Sequence, residues 1–101
     1  MNKFLVGKSI DFVDGTKKRV MAGDLALMLI KVEGKLYATA DACSHNKASL
    51  SGGKIDGFCI ECPWHGAKFD VRDGKVMALP AAVPIKTYKV AIEGVEIWVE
   101  I

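Results

Sequence analysis

Apolar residues in this chain fall in short blocks of strand length. Ala26-Leu27-Met28-Leu29-Ile30-Lys31-Val32 is nearly unbroken, the pattern of a strand covered on both faces. Glu33-Gly34 follows, then Lys35-Leu36-Tyr37-Ala38-Thr39, which predicts a hairpin with a glycine-bearing turn. The C-terminal stretch repeats the device. Residues 86–92 turn at Glu93-Gly94 into 95–101, where Val95, Ile97, Val99 and Ile101 share one face predicted to be buried. Arg72-Asp73-Gly74-Lys75 is a third turn, and shorter strands are predicted over 4–6, 19–21, 58–61 and 68–71. A helical period is nearly absent, with room for one turn within 42–50. Pro63, Pro80 and Pro84 lie outside the strong runs, as their missing N–H requires. The pattern predicts an all-β protein.

Length and charge narrow the class. At 101 residues, with 50% hydrophobic residues and scattered charges, the chain predicts one folded domain, 1–101, rather than disorder. No apolar run approaches the roughly 20 residues that span a bilayer. Near the N-terminus only Phe4-Leu5-Val6 precedes Gly7 and Lys8, too little for the apolar stretch of a signal peptide. The expectation is a soluble, non-exported protein with no membrane partner. A formal charge of +2, evenly spread, argues against nucleic acid.

The chemistry lies in the cysteines and histidines. There are three Cys and two His. An odd cysteine count without a signal peptide argues against a disulfide framework. Two cysteines and both histidines form two short clusters, Cys43-Ser44-His45 and Cys62-Pro63-Trp64-His65, in the pattern C-x-H-x16-C-x2-H. Both clusters fall at predicted loops, the first after the strand ending near Ala40 and the second after 58–61. Two thiolates and two imidazoles suit either Zn²⁺ or an iron–sulfur cluster. Zinc modules often take Cys pairs and His pairs. Here each loop offers one of each, as a [2Fe–2S] centre with two His on one iron requires. The third thiol belongs to Cys59-Ile60-Glu61-Cys62, a C-x-x-C sequence. On an extended strand, residues three apart face opposite sides, so Cys59 is read as a core thiol and not as a ligand.

Cys43-Ser44-His45 and Cys62-Pro63-Trp64-His65-Gly66-Ala67-Lys68-Phe69-Asp70 resemble the two boxes of Rieske [2Fe–2S] proteins. Gly52-Gly53 between them and Leu79-Pro80-Ala81 after them fit the wider pattern, and the length resembles that of a free-standing Rieske ferredoxin. The resemblance implies one [2Fe–2S] cluster, with Cys43 and Cys62 on the inner iron and His45 and His65 on the outer iron. It also implies the Rieske fold: an antiparallel β-sandwich or barrel base with a small cluster-binding subdomain inserted at about 41–79.

Departures from the respiratory-chain members of that family indicate the role. Those proteins staple the two loops with a disulfide, and the corresponding positions here resemble Ala48 and Trp64. They also aim a Ser and a Tyr hydroxyl at the cluster sulfurs, where this chain has Ala67 and Phe69. Without those donors the potential is expected near the low end of the Rieske range, roughly −150 mV. Once the cluster is ligated no histidine remains for a mononuclear iron, and no G-x-G-x-x-G sequence marks a dinucleotide site. The expectation is therefore an electron carrier with no catalytic residues. The resemblance implies a ferredoxin passing electrons from a flavin-dependent ferredoxin reductase to a terminal aromatic-ring hydroxylating oxygenase. The lack of a membrane-anchor pattern agrees with a cytoplasmic location, and a monomer is the default expectation for a mobile carrier. Alternatives are a Rieske subunit of a di-iron monooxygenase or nitrite-reductase-type assembly and, from another class, a zinc-stabilised interaction module. Trp64 is read as a solvent shield over the cluster. Lys47 and Lys68 are read as solvated loop lysines, with steering of an acidic partner as the alternative.

Overall fold

The computed structural model describes residues 2–42, 49–63, 66–78 and 83–101. Among these residues the strands are β1 (Lys3–Lys8), β2 (Lys17–Ala22), β3 (Leu25–Val32), β4 (Lys35–Ala40), β5 (Lys54–Asp56), β6 (Cys59–Glu61), β7 (Lys68–Asp70), β8 (Val76–Ala78), β9 (Thr87–Glu93) and β10 (Glu96–Glu100). Two 3₁₀ turns, Ser9–Asp11 and Leu50–Gly52, are the only helical elements described. No helix among the described residues is long and apolar enough to cross a membrane.

Six strands form one antiparallel sheet in the order β1-β10-β9-β4-β3-β2. Its end strands β1 and β2 also meet, so the sheet curls into a nearly closed barrel. The barrel interior holds Phe12, Ala22, Leu27, Leu29, Ala38, Ile97 and Val99. The other four strands form a small sheet, β5-β6-β7-β8. Its Ile60, Phe69 and neighbouring Val71 pack with Met28, Ile30 and Val32 in a second core. β3 therefore feeds both cores. Leu27 and Leu29 point into the barrel, and Met28, Ile30 and Val32 point toward the small sheet. That is the physical reason for its nearly continuous apolar sequence. An edge-to-face contact between Tyr37 on β4 and Phe58, with ring centroids 6.4 Å apart, adds to the junction.

Some sequence expectations need correction. The C-terminal hairpin turns at Gly94-Val95, one residue later than Glu93-Gly94, because Glu93 still pairs with Glu96. Gly94 takes φ 63°, at the first central position where a type II′ turn requires a positive value. Val95 then lies in the turn and is 51% exposed, and Ile101 is 40% exposed, so only Ile97 and Val99 of the predicted face are fully buried. β5 and β8 were not predicted: Lys54-Ile55-Asp56 offers a single apolar residue and Val76-Met77-Ala78 no alternation. The helical turn allowed within 42–50 falls mostly on positions 43–48, outside the described residues; Ala42 and Ser49 on either side form a β-bridge, and a 3₁₀ turn follows at Leu50–Gly52.

Candidate metal centre

The two ligand boxes follow β4 and β6, and the described residues flanking each are hydrogen-bonded to one another. At the first, Asp41 continues β4; its N–H donates to the Ala26 carbonyl (3.3 Å), and its own carbonyl accepts from the Leu50 N–H (2.6 Å). Ala42 forms an isolated antiparallel bridge with Ser49. The carboxylate of Asp41, only 4% exposed, accepts from the Ser49 hydroxyl at Oδ2 (2.6 Å) and from the Ser51 N–H at Oδ1 (3.1 Å). Arg19 of β2 stands 3.3 Å from the same Oδ2.

The second loop is the connection between β6 and β7. The Cys62 N–H donates to the Ala67 carbonyl (2.7 Å), and the Gly66 N–H donates to the Cys62 carbonyl (3.2 Å). Cys62 is buried, as are Ala67 and Phe69, and all three share one core with Leu50, the residue at the exit of the first loop. The chain between the loops passes so close to β6 that a Cβ on Gly53 would sit 1.8 Å from the Glu61 carbonyl oxygen. Gly53 has φ −85°, open to any residue, so contact and not backbone conformation demands glycine there.

Of the four residues read as ligands, the structure describes Cys62. Cys43, His45 and His65 lie outside the described residues, as do Ala48, Trp64 and Lys47. What is described fits an iron–sulfur group. A buried thiol lies at the base of one loop, packed in the same core as the exit of the other. The two loops together carry two thiols and two imidazoles, a donor set that one [2Fe–2S] cluster uses in full.

Cys59 needs one correction. It faces away from the buried side of β6, as strand alternation predicts, since Ile60 and Cys62 are buried while Cys59 is intermediate. It is therefore a half-buried thiol on the outer face of the small sheet and not a core thiol. Partial burial pushes its pKa up, with the nearby Asp70 and Asp56 adding to the shift, so the reactive thiolate is disfavoured. Lys68 is not a free solvated lysine: its ammonium donates to Asp56 at 2.9 Å, which raises the lysine pKa and lowers that of the carboxyl.

Two carboxylates near the loops make contacts that the sequence boxes do not announce. Asp70, 6% exposed, accepts at Oδ1 from the Arg72 N–H (2.9 Å) and Nε (3.0 Å) and at Oδ2 from Nη2 (2.7 Å). The Arg72 hydrogen bonds hold its carboxyl below the usual carboxylate range. The guanidinium in turn lies over Phe58, 4.1 Å from the ring centre. Asp41 is the other; its only sequence signal is a carboxylate two residues ahead of Cys43 with Ser49 and Ser51 following the same loop.

The pattern of the Rieske [2Fe-2S] domain matches residues 2–89. This chain belongs to the Rieske [2Fe–2S] family. Within the family, the ferredoxin component of the p-cumate 2,3-dioxygenase system of Pseudomonas putida is 40% identical over 93 residues, which cover 90% of this chain and 79% of that protein. The Sphingomonas yanoikuyae B1 ferredoxin superposes with a TM-score of 0.92 at 36% identity, covering 98% of each chain. A chain of the complex of reduced oxygenase and oxidized ferredoxin in carbazole 1,9a-dioxygenase superposes with a TM-score of 0.91 at 38% identity, covering 96% of this chain and 91% of that one. This Rieske protein is a ferredoxin, an electron carrier and not a catalytic oxygenase, and its cofactor is one Rieske-type [2Fe–2S] cluster.

Proposed function

We propose that Cys43 and Cys62 hold the inner iron of the cluster and His45 and His65 the outer one. On this reading the ferredoxin takes electrons from a flavin-dependent ferredoxin reductase and delivers them to a terminal aromatic-ring hydroxylating oxygenase, acting as a cytoplasmic monomer. The observation that carries the ligand set is the closure of both loops onto one core that buries Cys62. The relatives named as ferredoxin components of aromatic dioxygenase systems support the choice of partners. When bound, the cluster supplies a centre that accepts and gives up one electron.

The chain supplies the rest. Residues 1–101 act as one domain, with 41–79 as its cluster-binding part. The closed loop bases tie the residues that flank the ligand boxes to the core. Cys62, Ala67 and Phe69 exclude water from the inner side. Ala67 and Phe69 bring no hydroxyl to that side, which supports a low potential.

Metal and sulfide analysis tests the reading. Two irons and two labile sulfides per chain are expected, with loss of colour and of the EPR signal of the reduced form in Cys43→Ala, His45→Ala, Cys62→Ala and His65→Ala. Cys59→Ser is expected to keep both. One zinc per chain, or a cluster lost in Cys59→Ser and kept in Cys43→Ala, overturns the assignment.

A further inference from the structure

We propose that Asp41 is a positioning residue that ties the two ends of the Cys43/His45 loop together and anchors them to the barrel. The proposal rests on the ligand reading above and adds a residue that does not touch the cluster. The carboxylate spans both sides of the loop base. Its own backbone enters the loop, while its side chain holds Ser49 and Ser51 on the way out. The Ser49 and Ser51 hydroxyls stand 2.8 Å apart, so the second serine also supports the first. Asp41 N–H to Ala26 and the Arg19 contact fix the base to β3 and β2, strands of the barrel.

Burial makes the arrangement consequential. A carboxylate that is 4% exposed leaves its hydration behind, and its position is then dictated by the donors that replace water. Among the described residues, those donors belong to the loop exit or to the barrel. Moving the loop exit would strip the carboxylate of Ser49 and Ser51 together. These contacts tie the described entry and exit of the loop to each other and to the barrel. Groups that orient metal ligands from behind characteristically change both retention of the metal and its electronic surroundings when removed.

The test uses the cluster-loaded protein. Asp41→Ala, Asp41→Asn and Ser49→Ala are compared with the parent and with Val99→Ala, a truncation in the barrel core, where Val99 is fully buried apart from the core that holds Cys62. The readouts are the EPR line positions of the reduced protein, the rate at which iron passes to a chelator, and the thermal midpoint. Asp41→Ala is expected to shift the lines and release iron about 10-fold faster or more. Asp41→Asn and Ser49→Ala are expected to lie between it and the parent. Val99→Ala is expected to lower the midpoint with the lines unmoved. Parent-like lines and release rate in Asp41→Ala overturn the proposal, as does a Val99→Ala variant whose lines move equally. If Asp41→Ala does not load, Arg19→Gln and Ser49→Ala each remove one contact. Parent-like lines and release rate in both then overturn the proposal. A parent protein without two irons and two sulfides would overturn the ligand reading and this proposal together. An unchanged Asp41→Ala on a normally loaded parent overturns this proposal alone.

Discussion

The barrel and the small sheet use different means to stay folded. The barrel has long ladders, with β2 and β3 paired over six residue pairs from Lys17–Ile30 to Ala22–Leu25, and an interior filled from both sides. The small sheet has strands of three residues, and around them it relies on Gly53 against Glu61 and Arg72 on Asp70. Regular pairing spreads stability over many equal bonds, whereas short strands concentrate it in a few contacts that have no substitute. The first ligand box follows β4 of the barrel and the second follows β6 of the small sheet, so the redox centre depends on the barrel's regular pairing and on the particular contacts of the small sheet together.

The largest effects should come from truncating each core. Leu29→Ala in the barrel and Leu50→Ala under the loops remove side chains of equal size, both fully buried, and each should cost about 2–5 kcal/mol. The two should differ in what is lost first. Denaturant unfolding of Leu29→Ala should show far-UV circular dichroism and cluster absorbance falling together, while Leu50→Ala should lose absorbance at lower denaturant. Coincident loss in both variants would mean that the two regions are one cooperative unit.

Gly53→Ala should come next, at about 3 kcal/mol, because the backbone oxygen that the new methyl meets has nowhere to retreat. Gly94→Ala, with positive φ but open space, should cost about 1 kcal/mol and leave the cluster content unchanged. Thermal midpoints with iron analysis check the pair.

Asp70→Asn should cost about 1–3 kcal/mol at neutral pH, since it weakens the bonds to Arg72 at a buried carboxylate. The folded carboxyl has a lowered pKa, so its contribution is present in full above the ordinary aspartate value, about 3.9, and is lost as pH falls through the lower folded value. Parent and variant stabilities should therefore converge only below about pH 4, which unfolding measured from pH 7 down to about pH 2 would show. A gap that stays constant or widens in acid would contradict the assignment. The smallest effect belongs to Lys68→Ala, which removes an exposed pair to Asp56 and should change stability by less than about 1 kcal/mol, vanishing in high salt.

The same contrast explains what was legible in the sequence. β3, β4, β9 and β10 are long enough to show continuous or alternating apolar positions, and the first hairpin turns where Glu33-Gly34 said it would. The register at Gly94 was missed by one residue because a positive φ and a pairing partner, neither visible as hydrophobicity, decide it. β5 and β8 carry no period at all. At the site, the two boxes were legible because metal ligands must be particular residue types at fixed spacing. Asp41 was not, and Gly53 was visible only as part of Gly52-Gly53 without its reason, because each is defined by contacts with residues eight to ten positions further along the chain, Ser49 and Ser51 for the first and Glu61 for the second. Cys59 shows the limit from the other side: alternation placed it opposite Cys62, but nothing in the pattern revealed that the opposite face is half open to solvent.

The most direct measurement is nitrogen hyperfine spectroscopy on the reduced protein grown with ¹⁵N-histidine. The chain has two histidines, His45 and His65, so the label reports on these residues alone. Two directly coordinated histidine nitrogens, together with two irons and two sulfides per chain, are the predicted result. One coupled histidine or none would contradict the ligand set on which the account rests.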